Sequence, residues 1–189
     1  MILKNSILVL GLFYISCGYY STKGSIPTHI KSISFESIIN ETSEYYISDN
    51  FEETLLNMFI NKNILKVKDI NFSDSHIYIK IKSFSDMPFS YSSDDNSTFE
   101  DVEEYKVVIA VEAKWYDMID KTTLFEKTFT NWGIYALDKD ISYDQIDNDG
   151  DGKIDDEDLD ELGSAREAAI RIAIHKISED IIEAVLLTW

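Results

Sequence analysis

The feature that most constrains the fold is a long stretch in which every second side chain is apolar. It runs from Glu104 to Tyr116. A period of two places alternate side chains on one side of a β-strand. The pattern therefore predicts the longest strand of the protein, whose apolar side must be covered by a second layer. That side consists of Tyr105, Val107, Ile109, Val111, Ala113 and Trp115.

Other stretches predict shorter strands around this one. Met118–Lys121 is a turn, so Leu124–Thr130 should return as the hairpin partner. Residues 85–100 are rich in serine and aspartate, include Pro88, and predict a long polar loop. The remaining strands are predicted at about 29–36, from Leu65 and Val67 onward, and at His76–Lys82, where Ile77, Ile79 and Ile81 share one face.

Two helices are predicted to form the covering layer. The first has Asp49 and Glu52 as a cap pair and ends at Asn61-Lys62-Asn63. The second begins at a capping box of Ser164 and Glu167. The order β-α-β-β-β-α predicts the α+β class, with two helices packed on one face of an antiparallel sheet of about four strands. The apolar stripes are Phe51, Leu55, Met58 and Phe59 in the first helix, and Ile170, Ala173, Ile174, Ile177, Ile181, Ala184 and Val185 in the second.

The N-terminus has the features of an export signal. Lys4 precedes an apolar run from Ile7 to Ile15, and Ser16 precedes Cys17, which is the only cysteine. The run is shorter than the ~20 residues that a membrane-spanning helix requires. We interpret residues 1–16 as a lipoprotein signal peptide and Cys17 as the lipidated first residue of the mature protein. An ordinary signal, or an N-terminal helix with a buried cysteine, is the alternative.

Charge and motif content exclude several classes of function. The chain has 17 Lys+Arg against 35 Asp+Glu, a net charge of -18, which argues against nucleic acid as a partner. The histidines, His29, His76 and His175, are scattered along the sequence and suggest neither a metal cluster nor a catalytic triad. The motifs of serine hydrolases, dinucleotide-binding proteins and P-loop proteins are missing from the sequence. We therefore expect no enzyme.

Much of the acidity lies in one insertion, at about 138–161, which holds 12 Asp+Glu and 2 Lys. Within it, residues 147–158 match a twelve-residue calcium loop, with Gly152 at the sharp turn and Ile154 directed inward. The aspartate in place of a final glutamate resembles dockerin-type loops. A structural Ca²⁺ site is predicted, and a solvated acidic loop is the alternative. The ligands would be Asp147, Asp149, Asp151, the backbone carbonyl of Lys153, Asp155 and Asp158.

Several short stretches, taken in order, resemble the lipopolysaccharide-assembly lipoproteins (the LptE-like family). They cover nearly the whole of residues 17–189, apart from the acidic insertion, and we treat these residues as a single domain. The stretches are Cys17-Gly18-Tyr19-Tyr20-Ser21, Ser25-Ile26-Pro27 with His29-Ile30-Lys31, Asn40-Glu41-Thr42-Ser43, Asn61–Val67, Tyr105–Val111, Trp132-Gly133 with Tyr135, and the closing helix that ends in Trp189.

The resemblance implies a lipoprotein on the periplasmic face of the outer membrane. Such a protein would dock an LptD-like β-barrel translocon and assist lipopolysaccharide transport to the cell surface. The loop Pro88–Glu100 and the segment at Trp132-Gly133 are the predicted barrel contacts. The alternative function is a calcium-stabilised periplasmic or surface lipoprotein that binds another ligand. Family members that bind lipopolysaccharide are thought to use basic residues, here Lys80, Lys82, Lys106 and Lys114.

Overall fold

The computed structural model describes residues 26–92, 101–136, 145, 152, 154 and 164–187. Within these residues the chain forms six strands and two α-helices, together with a 3-10 turn at Ile70–Phe72. The elements are β1 (Ser32–Phe35), β2 (Ile39–Asn40), α1 (Ile47–Asn61), β3 (Lys66–Val67), β4 (Ser75–Ser92), β5 (Asp101–Asp117), β6 (Thr122–Tyr135) and α2 (Ala165–Leu186).

The strands form one mixed sheet in the order β3-β1-β4-β5-β6, with β2 beside β4. The α+β class with two helices is confirmed, but the antiparallel sheet of about four strands is wrong. Strand β1 pairs in parallel with both β3 and β4, and β2 pairs in parallel with β4. Helix α1 returns the chain to the end of the sheet where β1 began, so β3 must run in the same direction as β1. The strands β2 and β3 have two residues each, which is too short for a periodic signal.

Strand β4 is much longer than predicted, because residues 85–92 continue the strand instead of starting a loop. The pairing with β5 shifts between Ile81 and Ser83, so Lys82 is an extra residue. Beyond such a bulge, the residues that would have faced the core face the open side of the sheet, and the reverse. The regular alternation of apolar and polar residues is therefore interrupted in the sequence. Pro88 is accommodated because no described strand pairs with the outer edge of β4 beyond Ile81. Residues 93–100 lie outside the described residues.

The predicted apolar side of β5 is confirmed as the centre of the core. Its side chains from Val107 to Trp115 are fully buried, and Trp115 packs against Phe125 of β6 with ring centroids 6.0 Å apart. Burial of each large apolar side chain stabilises the fold by about 1.5–3 kcal/mol. The apolar stripes of both helices pack in the same cluster, so the two helices cover one face of the sheet and leave the other open.

The helix boundaries follow the sequence closely, with one exception. The capping box of Ser164 and Glu167 at the start of α2 is confirmed, and α1 ends at Asn61 as predicted. The predicted cap pair in α1 is wrong. That helix begins at Ile47, with Tyr46 as its N-cap residue and no side-chain cap, and this places Asp49 in the first turn. Ile47 is fully buried and extends the apolar stripe by one turn.

Candidate functional site

Exposed apolar side chains cluster toward the end of the β4–β5 hairpin, close to β6. We call Met87, Phe89, Tyr91 and Trp132, together with Lys106 and Lys176, the hairpin-end patch. The relative exposures of the four apolar residues are 47%, 48%, 55% and 41% in that order. Met87 lies directly opposite Lys106 in the sheet. Met87, Lys106 and Trp132 therefore lie on the open side of the sheet, and Lys176 extends from α2 to contact Trp132.

The ammonium groups of two lysines form cation–π contacts with the aromatic rings of this patch. The Nζ atom of Lys106 lies 4.3 Å from the ring centroid of Trp132 and 5.1 Å from that of Phe89. The Nζ atom of Lys176, on α2, lies 5.2 Å from the Trp132 centroid. Each contact of this kind stabilises an exposed site by about 0.5–1 kcal/mol. The patch thus combines apolar area with positive charge on a protein whose net charge is -18.

The structure gives different roles to the two residues of the Trp132-Gly133 segment. Trp132 points to the open face of the sheet, whereas Gly133 faces α2. A Cβ atom at Gly133 would lie 2.1 Å from the backbone oxygen of Ala169. Glycine is therefore required here for the close approach of α2 to β6. Of the predicted pair, Trp132 is available to a partner and Gly133 is a packing residue.

A shallow groove of about 470 Å³ occupies another part of the open face. Its walls combine aromatic rings with charged side chains from the three long strands and from Ile39 of β2, which is 57% exposed. A groove of this size could hold a small ligand. The lining residues are Ile39, Tyr78, Ile79, Lys80, Glu112, Lys114, Tyr116 and Glu126.

Three of the four lysines that the resemblance suggested as lipopolysaccharide ligands form ion pairs. Glu41 contacts Lys82 at 3.0 Å and Lys80 at 3.6 Å, and Lys114 contacts Glu126 at 3.1 Å. The hydrogen bond from Lys82 lowers the pKa of Glu41, and the same bond raises the pKa of Lys82. An anionic ligand would have to displace these carboxylates. Lys106 instead contacts the aromatic rings of the hairpin-end patch.

Sequence reasoning missed an arginine that joins four segments of the fold. Arg166, in the first turn of α2, contacts Asp86 of β4 at 2.6 Å and Glu44 before α1 at 2.9 Å. Tyr135 of β6 donates its hydroxyl to Asp86 at 3.0 Å. Burial is the main cause that raises the pKa of Tyr135 to about 12, and the hydrogen bond to Asp86 is the second cause. Burial acts to lower the pKa of Arg166, but its two carboxylate partners raise it overall. This network fixes the start of α2 where the chain returns from the acidic insertion.

The structure also brings together a group of metal-ligand type that the scattered histidines did not reveal. The Nε2 atom of His29 lies 2.6 Å from Asp117 Oδ2 and 3.6 Å from Asp120 Oδ2. Asp117 is buried, and its Oδ1 accepts hydrogen bonds from the N–H groups of Ile119 and Asp120. The hydrogen bond to Asp117 raises the pKa of His29. These bonds explain the arrangement as a link between the N-terminal segment and the β5–β6 turn.

A buried histidine also lies beside a serine, although the scattered histidines of the sequence did not suggest a catalytic triad. Ser34 Oγ is hydrogen-bonded to His76 Nδ1, and Ser73 donates to Ser34 at 2.9 Å. Burial lowers the pKa of His76. Ser34 and His76 are 1% and 3% exposed, so a substrate could not reach the hydroxyl. The group joins β1 to β4 within the structure.

The predicted lipidation and calcium residues lie outside the described residues. These are Cys17, Asp147, Asp149, Asp151, Lys153, Asp155 and Asp158. Within the calcium loop the structure describes Gly152 and Ile154. Gly152 has a φ of +92°, in the region that favours glycine and suits the sharp turn predicted at this position. Ile154 is 41% exposed, so it is not turned inward as predicted. Calcium binding stays a prediction.

The sequence contained a weak signal for the hairpin-end patch. Met87, Phe89 and Tyr91 alternate with Pro88 and Ser90, which is the period of a strand. The proline and the many serines nearby favoured a loop instead. The lysines that contact Trp132 could not be found from the sequence, because Lys106 and Lys176 belong to separate elements that meet in the folded protein.

No helix in the described part of the chain is long and apolar enough to cross a membrane.

No family model and no curated protein matches the sequence. Several solved bacterial structures nevertheless match the chain at low sequence identity. The minor lipoprotein from Acinetobacter baumannii is 12% identical over 82% of this chain and 92% of its own, with a TM-score of 0.44.

Two other structures superimpose better. Protein XCC0632 from Xanthomonas campestris, of the family DUF330, is 12% identical over 87% of this chain and 90% of its own, with a TM-score of 0.53. The hypothetical protein CT253 from Chlamydia trachomatis is 7% identical over 82% of this chain and 97% of its own, with a TM-score of 0.51. Identities this low establish the fold alone, and the chain shares its α+β fold with these two bacterial proteins.

Proposed function

We propose that this protein is a lipoprotein, anchored through Cys17 to the periplasmic face of the outer membrane, that assists lipopolysaccharide transport by docking a β-barrel translocon. The export signal and the ordered resemblance to lipopolysaccharide-assembly lipoproteins support the location and the process. The observation that carries the docking role is the hairpin-end patch. It presents exposed aromatic side chains on the open face of the sheet, in contact with Lys106 of the same face and Lys176 of α2.

The chemistry of this patch suits a protein partner. Protein interfaces are enriched in aromatic residues and methionine, and a few large side chains usually dominate the binding free energy. Phe89 and Trp132 are half exposed, and lysine contacts restrict their rings. A barrel lumen is polar, so it can accept the lysines and the acidic surface around them. Phe89 and Trp132 are therefore the proposed anchors of the complex.

The position of the patch also suits docking away from the membrane anchor. His29, near the N-terminal end of the described chain, contacts Asp117 at the end of β5, whereas Lys106 of the patch lies eleven residues earlier in that strand. At about 3.3 Å per residue, this corresponds to roughly 36 Å along the sheet. The proposed partner surface and the anchored end of the chain are thus well separated.

The second candidate is a calcium-stabilised binding lipoprotein with a different ligand. The groove beside Tyr78 and Tyr116 favours this function, because it has the size of a small-molecule site. The two candidate functions require different parts of the open face of the sheet. Docking requires Phe89 and Trp132, whereas ligand binding requires the groove. Substitutions in one region should therefore leave the other function intact.

Depletion of the protein in its native host tests the proposal. We expect surface lipopolysaccharide to fall while other lipoproteins reach their normal location. Wild-type protein and the groove variant Tyr78→Ser should restore it, and the double variant Phe89→Ser/Trp132→Ser should not. Equal cellular amounts of the three proteins are the control for folding. Unchanged surface lipopolysaccharide after depletion would contradict the proposed function.

A further inference from the structure

Three chain segments meet at the end of the sheet opposite the hairpin-end patch, namely residues 29–32, 68–74 and 117–121. We call this region the lead-in end. Its segments are fixed to one another by hydrogen bonds. His29 bonds to Asp117, and Asp74 accepts the backbone N–H of Lys31 at 2.9 Å through its carboxylate. The backbone oxygen of Asp74 also accepts the N–H of Met118 at 2.9 Å. The region is therefore a single preformed surface.

Large apolar side chains project from this surface although the core does not need them. Phe72 is 72% exposed and Ile119 is 53% exposed, while Ile70 and Met118 are 44% and 41% exposed. Ile70 and Phe72 belong to the 3-10 turn, and Met118 and Ile119 to the turn between β5 and β6. Exposed apolar residues gathered at the tips of two turns indicate an interaction surface.

The same end is where the chain leads toward Cys17. The described residues begin at Ile26, three residues before His29. Cys17 lies nine residues before Ile26, and nine residues span at most about 30 Å. A lipid on Cys17 therefore keeps the lead-in end close to the bilayer. The hairpin-end patch lies a further ~36 Å along the sheet.

The charge of the lead-in end differs from that of the whole protein. Its three segments hold Lys31, Lys68 and Lys121 against four aspartates, whereas the net charge of the chain is -18. Two of the aspartates are held internally, Asp74 by Lys31 and Ser32, and Asp117 by His29 and backbone N–H groups. The positive and negative charges of this surface are therefore nearly equal in number. Anionic lipid headgroups would repel it less than they repel the rest of this acidic protein.

We propose that the lead-in end is a bilayer-docking surface. Ile70, Phe72, Met118 and Ile119 enter the interface between headgroups and acyl chains of the membrane that holds the acyl groups of Cys17. Apolar side chains on turns can enter this layer while the neighbouring charged side chains stay at the height of the headgroups. In a bilayer without a barrel, docking holds the domain upright with the hairpin-end patch away from the membrane, and entry of the patch into a barrel lumen requires release of this contact. The inference rests on the proposed acylation of Cys17, and it does not require a barrel partner.

Depth-dependent fluorescence quenching tests this surface. The acylated full-length protein, confirmed by mass spectrometry, is placed in phosphatidylethanolamine–phosphatidylglycerol vesicles that contain no other protein. Because an acylated Cys17 does not react with maleimides and no other cysteine exists, one introduced cysteine can be labelled with an environment-sensitive fluorophore. The test position is Ile119→Cys, and the matched control is Phe89→Cys, which is similarly exposed at 48%.

The fluorophore at position 119 should shift to shorter wavelength and be quenched by lipids that carry a nitroxide near the headgroup. The fluorophore at position 89 should show neither change. Adding Ile70→Ser and Phe72→Ser to the Ile119→Cys protein should reduce the quenching at least twofold. Equal quenching at positions 119 and 89, or quenching at 119 only after a barrel is added, would overturn the proposal. Failure to recover a barrel would contradict the proposed function but not this inference.

Discussion

Replacement of Gly133 by alanine should destabilise the fold more than any other single-methyl change on β6. The new Cβ would lie 2.1 Å from Ala169 O, 2.7 Å from Ala169 C and 2.8 Å from Ala169 Cα. Ordinary contacts of a Cβ atom begin near 3.4 Å, so α2 and β6 must separate by roughly 1 Å. Overpacking of this kind costs typically about 1–3 kcal/mol. We expect the upper end, about 3 kcal/mol, because the collision is with backbone atoms that cannot change rotamer.

Equilibrium urea unfolding followed by circular dichroism measures this cost. Thr130→Ala, an exposed position on the same strand, is the matched control and should change the free energy of unfolding by less than about 1 kcal/mol. Adding Ala169→Gly to Gly133→Ala should not restore stability, since the contacts involve the Ala169 backbone. A loss below about 0.5 kcal/mol for Gly133→Ala would refute the packing argument, and so would a full rescue by Ala169→Gly.

Three further predictions follow from the described contacts and the calcium loop. The hydrogen bond to Asp117 raises the pKa of His29, so its stabilisation is complete below the ordinary pKa of about 6.5 and is lost as pH rises through the raised value. The difference in melting temperature between wild type and His29→Gln should accordingly shrink above that pH, and a constant difference would contradict the linkage. Arg166→Leu should lower the free energy of unfolding by about 1–2 kcal/mol, because two partly buried carboxylates lose their partner; an unchanged urea midpoint would count against this. Calcium should raise the melting temperature of the protein, and Asp147→Ala or Asp151→Ala should remove most of this increase. A calorimetric titration that detects no heat of binding at millimolar Ca²⁺ would favour the alternative, a solvated acidic loop.

Local patterns in the sequence predicted the parts of the fold that depend on periodicity and capping. The apolar side of β5, the stripe of α2 and the capping box at Ser164 all follow from residues that are neighbours in the chain. The parallel pairing of β1 with β3 was missed because two-residue strands carry no period. The second half of β4 was missed because Pro88 and the many serines favoured a loop, and because the bulge at Lys82 interrupts the alternation that begins at His76.

The candidate site was less predictable than the fold, because its contacts join distant parts of the chain. Trp132 was predicted as a partner contact, but its contacts with Lys106 and Lys176 exist only in the folded protein. The same holds for Arg166, whose carboxylate partners lie 80 and 122 residues away. Charge counting located much of the acidity in the insertion at about 138–161. It could not show that Lys80 and Lys114 form ion pairs beside the groove, whereas Lys106 contacts the aromatic rings of the hairpin-end patch.

Photo-crosslinking in native envelopes tests the docking claim most directly. A photoreactive amino acid replaces Phe89, Trp132 or, as the control in the groove, Tyr78. We predict that Phe89 and Trp132 crosslink to an outer-membrane β-barrel of the lipopolysaccharide translocon in a one-to-one complex, and that Tyr78 does not. A barrel captured from Tyr78 but from neither patch position, or no barrel captured from Phe89 and Trp132, would contradict the account.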